Sequence, residues 1–150
     1  HVFSSPKTYG DHGDARAMAM NAVLDRVAAL ADKGVVLRDP LPKRELAAEL
    51  ATFRALLYRG DPGETYCLSV GEAQASGVPF IVQNIGCVAE RVVDGITGAV
   101  AADDTDFAER ARRLLLDDAL WRDQHRASLE RQRSWSWDDA AAAFEKLMAP

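Results

Sequence analysis

The sequence predicts a three-layer α/β domain: a parallel β-sheet with helices on both faces, followed by a helical C-terminal tail. Short apolar runs alternate with segments of helical period along the chain. Those runs carry too little polar surface to face water on either side, as expected of strands covered by helices on both faces. From Asp104 onward the period is helical to the end. Parallel strands joined in this way take right-handed crossovers.

Composition agrees with one folded domain over residues 1–150. With 48% apolar and 27% charged residues, the chain is far from the composition of a disordered one, and 150 residues suffice for a real core. No run approaches the length of a membrane span, and the first residues lack the basic-then-apolar order of a signal peptide, so a cytoplasmic location is expected. Two cysteines, Cys67 and Cys87, allow one bridge that such a core does not need, and reduced thiols are expected. The 23 acidic residues outnumber the 18 basic ones, and the arginines mostly alternate with acids, which argues against nucleic acid as a partner.

Taken in order, Val2, Phe3 and Ser4 read as a strand that starts almost at residue 1, with no turn or cap before it. A complete domain of this class begins less abruptly, and the expectation is a piece of a longer chain. Met20, Leu24, Val27, Leu30 and Ala31 fall on one face of a helix over 14–32, closed by Gly34. Val35, Val36 and Leu37 form the next strand. Pro42 stands near the start of a helix bearing Leu46, Leu50 and Phe53 on one face, and a strand follows over 55–58. A helix over 69–76 stops at Gly77, and a strand runs over 79–83 with Pro79 tolerated at its first residue. A short amphipathic turn over 88–93 then leads through Asp94 and Gly95 to a brief strand over 97–100.

In sheets of this kind the ligand sits outside the carboxyl ends of the strands, which directs attention to the loop after Tyr58. Asp61, Pro62 and Gly63 mark a turn there, and a helix opens at about Ser69. Its first N–H groups have no partner within the helix and the dipole adds positive charge, so a phosphate group fits. Glu64 in the loop and Glu72 about one turn into the helix, with seven residues between them, can face one ligand. Ionised carboxylates only accept hydrogen bonds, which suits the vicinal hydroxyls of a ribose or hexose. Phosphate on amides and sugar on carboxylates make a nucleotide-sugar site. Ser69 and Glu72 also fit a capping box, in which Glu72 merely reaches back to the Ser69 N–H, and Glu64 is then a solvated loop charge.

The run Glu64, Thr65, Tyr66, Cys67, Leu68, then Gly71, Glu72, Ala73, Gln74, Ala75, with Gly77, Val78, Pro79, Gly86, Glu90, Asp94, Gly95, Thr97 and Gly98, resembles a known family. It is similar to the donor-binding half of the retaining GT-B glycosyltransferases of group 1, the GT4 family. The likeness covers residues 34–150 well and residues 1–33 loosely. It implies a Rossmann-like C-terminal lobe and transfer of a sugar from a nucleoside-diphosphate sugar to an acceptor with retention of anomeric configuration. The two glutamates are similar to the family's E-x7-E motif. On that resemblance Glu64 is the catalytic residue and contacts the donor sugar, while Glu72 binds the ribose. The N–H groups of Thr65, Tyr66, Cys67 and Leu68 face the sugar and diphosphate, and the base lies near Arg38, Asp39, Pro40 and Leu41.

The resemblance implies no metal and no cofactor beyond the nucleotide sugar as co-substrate. The partners implied are the donor, an acceptor of unknown kind (sugar, lipid or small molecule), and the N-terminal domain of a parent chain. A membrane surface is a further peripheral contact through parts outside this sequence. Departures are informative. Tyr66 and Cys67 stand where the family commonly has Phe-Gly, and a side chain there narrows the backbone's approach to the sugar. Ser4, Ser5 and Pro6 replace a frequent glycine turn. The family's basic phosphate clamp and its acceptor domain would precede residue 1, so the isolated piece is expected to be inactive. Alternatives of the same fold are a non-catalytic nucleotide-binding or interaction module and a nucleotide-sugar epimerase lobe.

Other features have plain readings. Asp104, Thr105 and Asp106 spell a metal-binding Asp-x-Asp, but the triplet sits where a helix begins, and aspartates favour such positions as caps. His1, His12 and His125 lack ligand spacing and are expected to be solvent-exposed. Cys67 is expected to be a small packed residue, and Trp121, Trp135 and Trp137 to anchor the tail to the core. Neither a dinucleotide fingerprint nor a P-loop occurs.

Overall fold

A computed structural model of the chain describes residues 1–3, 14–134 and 136–148. They form two compact units, 1–46 and 47–150. In the first, β1 (Val2–Phe3) pairs in parallel with β2 (Leu37–Arg38), and α1 (Asp14–Ala28) lies between them in sequence. Met20, Leu24, Val27 and Leu30 are half-buried, as the period predicts, whereas Ala31, placed on the same face, is exposed. The α-helix stops at Ala28, short of the expected 32; a 3₁₀ turn, Ala31–Lys33, follows and ends at Gly34 with φ 85°. Strand pairing begins at Leu37, later than expected, with Val35 and Val36 in the approach. Helix α2 (Lys43–Leu50) opens with Leu46 N–H bonded to the Pro42 carbonyl and runs across the boundary between the units.

The second unit holds a parallel sheet in the order β3 (Leu56–Leu57), β4 (Phe80–Gln83), β5 (Gly98–Ala101). The strands thus pair as two separate parallel sets, two strands in one unit and three in the other. All four residues of β4 are buried, and its side chains alternate between two clusters. Phe80 and Val82 pack with Cys67, Val70 and Val88, while Ile81 packs with Ala99, Ala101, Ala111 and Leu114. Helix α3 (Leu68–Ala75) supplies Val70 to the first cluster and α4 (Asp104–Leu116) supplies Ala111 and Leu114 to the second, so helices cover both faces. Phe80 is fully buried, and burial of such a side chain contributes about 2–3 kcal/mol. Gly98 lies beside Phe80 because a Cβ there would run into the Phe80 carbonyl of the neighbouring strand.

Helix α5 (Asp118–Arg133) packs along α3 and pins the loops around it. Trp121 Nε1 donates to the Arg54 carbonyl at 2.8 Å, and Ser128 Oγ to the Thr97 carbonyl at 3.1 Å. Trp121 is therefore the anchor expected of it. His125 is not a solvent-exposed histidine: it stacks on Trp121 with ring centroids 4.8 Å apart, and its Nδ1 meets the Gly77 carbonyl. His1 is exposed, as expected, and His12 lies outside the described residues.

Helix α6 (Trp137–Met148) opens with a reciprocal cap in which Ser136 Oγ and Asp139 exchange hydrogen bonds. No residue of α6 is buried, and Trp137 is 91% exposed, which corrects the expectation that it anchors the tail. The period of α6 is amphipathic, and Trp137, Phe144, Leu147 and Met148 are all exposed. Trp135 lies outside the described residues. No helix among the described residues is long and apolar enough to cross a membrane.

Candidate functional site at the mouth of helix α3

The loop between β3 and α3 is tightly built. Asp61 accepts from the Gly63 N–H through its side chain at 2.7 Å and from the Glu64 N–H through its carbonyl at 3.0 Å, closing the turn read from Asp-Pro-Gly. Gly86, with φ 62°, lets the segment after β4 approach, since a Cβ there would strike the Asp61 carbonyl. Next to it, the Cys87 N–H donates to the Glu64 carbonyl at 3.2 Å. The backbone of Glu64 is thus fixed from both sides.

Its carboxylate is fixed as well. Oε1 accepts from the Cys67 N–H at 3.0 Å, and Oε2 accepts from the Tyr58 hydroxyl at 3.4 Å. Burial, and then the Glu64 charge, push the Tyr58 phenol up to about 12, so it stays protonated and donates. Cys87 is shifted upward too, first by burial and then by Glu64.

Cys67 has φ 56° and ψ 75°, and among the described residues it is the only non-glycine in the left-handed region. It is 1% exposed, its thiol packed in the core as expected of a small apolar residue. Cys67 occupies the N-cap of α3 and makes no side-chain cap bond. The helix opens at Leu68, so Ser69 lies inside it and not at its N-cap, and Glu64 is no solvated loop charge but takes the Cys67 N–H at the cap.

Glu72 is half-buried in the second turn of α3, while Thr65, Tyr66 and Leu68 are exposed. Among the described residues nothing bonds the N–H groups of Thr65, Tyr66 or Leu68, whereas that of Cys67 is taken by Glu64. Glu64, Thr65, Tyr66, Cys67, Leu68 and Glu72 all belong to the second unit, with Glu64 bonded to the N-cap of the helix that carries Glu72. Arg38, Asp39, Pro40 and Leu41 belong to the first unit, at the end of β2, with the Arg38 guanidinium 5.8 Å from the Phe3 ring centroid.

The Asp-x-Asp triplet is structural. Asp103 caps α4, accepting from Thr105 and Asp106 N–H groups at 2.9 Å. Asp104 pairs with Arg59 at 3.0 Å and accepts from Gln83 at 2.8 Å. The Ala102 N–H and then Arg110 hold Asp106 below the usual carboxylate range. Among the described residues no group of three or more His, Cys, Asp or Glu side chains is placed to hold a metal ion.

Two neighbours of the site escaped the sequence reading. Tyr58 looked like the end of a strand, its only signal being a phenol as last residue of an apolar run. Arg91, in the 3₁₀ turn Val88–Arg91, places its guanidinium 4.6 Å over the Tyr66 ring and donates to the Tyr66 carbonyl at 3.4 Å. Nothing in the sequence joins residues 25 positions apart.

A parallel sheet with helices on both faces is the architecture of a GT-B-type lobe. The fold matches the sucrose-phosphate synthase structure from Thermosynechococcus elongatus with a TM-score of 0.71, over 89% of this chain and 34% of that one, at 22% identity. The chain belongs to the family described as glycosyl transferases group 1, whose profile matches residues 9–117. It is 30% identical over 150 residues to the D-inositol 3-phosphate glycosyltransferase of Corynebacterium aurimucosum, covering 97% of this chain. It is also 35% identical over 102 residues to the glycogen synthase of Mycobacterium tuberculosis, covering 62% of this chain. The chain spans 32% of the length of the first relative and 25% of the second.

Proposed function

We propose that this chain is the donor-binding part of a retaining glycosyltransferase that takes a sugar from a nucleoside-diphosphate sugar and passes it to an acceptor. The observation that carries the reading is the Glu64 carboxylate, held by the Tyr58 hydroxyl and the Cys67 N–H at the mouth of α3, eight positions before Glu72 on the same helix. A carboxylate that already holds two donors is oriented, and its remaining lone pairs accept from sugar hydroxyls. Glu72 takes the ribose hydroxyls. The open N–H groups of Thr65, Tyr66 and Leu68 stabilise the diphosphate as it departs, the electrostatic term that dominates most such catalysis. The base lies by Arg38, Asp39, Pro40 and Leu41. The reaction needs no metal, because positioning and backbone donors do the work.

The acceptor-binding part lies outside these 150 residues, so the isolated chain binds donor without transferring it. The first relative's name makes D-inositol 3-phosphate the first acceptor to assay once that part is supplied. The test is calorimetric titration of UDP, GDP and ADP, each with and without its sugar, into this chain and into Glu72→Ala. Binding of one nucleotide that Glu72→Ala weakens about tenfold or more, with the fold intact, is expected from loss of a hydrogen bond to a charged group. Binding that Glu72→Ala leaves unchanged overturns the ribose assignment. Sugar transfer by the isolated chain overturns the division of labour.

A further inference from the structure

The peptide unit between Tyr66 and Cys67 is held at both edges. Its carbonyl accepts from Arg91 Nη1 at 3.4 Å, and its N–H donates to Glu64 Oε1 at 3.0 Å. No cis peptide bond occurs among the described residues, so these two groups point in opposite directions across one plane. Rotation of that plane would take the N–H away from Glu64 and carry Cys67 out of its left-handed conformation.

Arg91 is itself locked. Its carbonyl accepts from Gln74 Nε2 at 2.8 Å, and Gln74 is buried on α3. The guanidinium stacks on the otherwise exposed Tyr66 ring, and its Nε is buried with no hydrogen-bond partner among the described residues, a cost set against that stacking. Gly71 explains how it fits. A glycine inside α3 weakens the helix, and its backbone does not need glycine, since φ there is not positive. A Cβ at Gly71, however, would lie 2.5 Å from Arg91 Nη2. The glycine leaves room for the guanidinium, one residue before Glu72.

We propose that Arg91 is a positioning residue for Glu64: it pins the Tyr66–Cys67 peptide, and Gly71 is small so that it can. The inference rests on the donor-site reading for its consequence, since Glu64 is there the group that meets the sugar, but not for its geometry.

The experiment uses the whole 150-residue chain and the variants Arg91→Ala, Arg91→Lys, Gly71→Ala and the double variant Arg91→Ala/Gly71→Ala, each checked for a native circular-dichroism spectrum. The first readout is hydrogen exchange of the Cys67 amide by NMR, which needs no ligand. Exchange is expected to rise about tenfold in Arg91→Ala, as for a lost hydrogen bond to a charged group, and to recover partly in Arg91→Lys. Gly71→Ala should raise it too, and should add nothing in the double variant, because the guanidinium it displaces is already gone. Unchanged exchange at Cys67 in folded Arg91→Ala, or additive effects of the two substitutions, overturns the proposal.

The second readout is titration with UDP and UDP-glucose, GDP and GDP-mannose, and ADP and ADP-glucose. Arg91→Ala should lessen the gain in affinity that the sugar brings by a larger factor than it lessens binding of the bare nucleotide, since Glu64 is the group that meets the sugar. An undiminished sugar gain, with the Cys67 amide exposed, overturns the link to Glu64. If the parent chain binds none of these, the donor-site reading fails while the exchange readout still decides whether Arg91 holds the peptide.

Discussion

Helices α3 and α4 each follow a strand of the same parallel sheet, β3 and β5, yet their N-termini are treated differently. At α4, Asp103 accepts from two N–H groups, and Asp106 in the first turn pairs with Arg110 one turn on and accepts from the Ala102 N–H before the helix. This is the ordinary solution to the free donors of a helix start. At α3 the N-cap is a cysteine in the left-handed region that bonds no N–H through its side chain. The Cys67 N–H is served by Glu64 from three residues back, and among the described residues nothing bonds the N–H groups of Thr65, Tyr66 or Leu68. A helix that only needs to be stable closes its N-terminus with a short acidic side chain, whereas free donors suit the anion proposed to bind at α3. The comparison separates the acidic triplet at α4 from the acidic pair at α3, which the sequence presents in equally suggestive form.

Substitution at Glu64 should sharpen that contrast most. Glu64→Ala removes the acceptor for the Tyr58 hydroxyl and the Cys67 N–H and the proposed contact to the sugar. The sugar-dependent part of donor affinity should fall about tenfold to a hundredfold, the range for a hydrogen bond to a charged group. Titration of the nucleotide with and without its sugar measures it. The same substitution of the α4 cap, Asp103→Ala, should cost about 1 kcal/mol of stability in urea unfolding and leave nucleotide binding unchanged. Equal effects of the two variants on binding would erase the distinction drawn here.

A smaller effect is expected at Cys67. Cys67→Gly relieves the left-handed strain, worth about 1–2 kcal/mol for a residue with a side chain. It also empties a fully packed site against Val70, Phe80, Val82 and Val88, and it loosens the unfolded chain. These terms oppose one another, so the net change in unfolding free energy should stay within about 1 kcal/mol. A loss of several kcal/mol would show that the thiol's packing, not the backbone's shape, is what the position is kept for.

How far the sequence discloses this site follows from how local each feature is. The apolar run Phe80, Ile81, Val82 is a buried strand because nothing in it tolerates water, and the spacing of Glu64 and Glu72 places both near one helix start. The family resemblance rested on the same stretch and is upheld by the profile match. What the sequence hid depends on contacts between distant positions. His125 meets Gly77 from 48 residues away, and Arg91 meets Tyr66 across 25. The capping box at Ser69 and Glu72 satisfied a local pattern, but the chain enters α3 with Cys67, in the left-handed region and packed in the core, at the N-cap in place of Ser69. Trp137 fails for a related reason: an amphipathic period announces an apolar face without saying whether a neighbour covers it.

The smallest effect is confined to alkaline solution and tests the Tyr58–Glu64 contact alone. The phenol's ordinary value is 10.0, and in the folded chain it is pushed up to about 12, by burial first and by Glu64 second. Below pH 10 the phenol is neutral in both folded and unfolded chains, and its contribution to stability is fully present. Between pH 10 and about 12 the unfolded chain releases this proton while the folded one keeps it, so stability falls as pH rises through that window. Tyr58→Phe should flatten that part of the curve, read as the difference between the two proteins' unfolding free energies at each pH. Phenolate absorbance should show one late-titrating tyrosine that the substitution removes. Glu64→Gln should move that titration down only part of the way toward 10, because burial is the larger cause. A return all the way to the ordinary value would make the Glu64 charge, not the burial of Tyr58, the force that keeps this donor protonated.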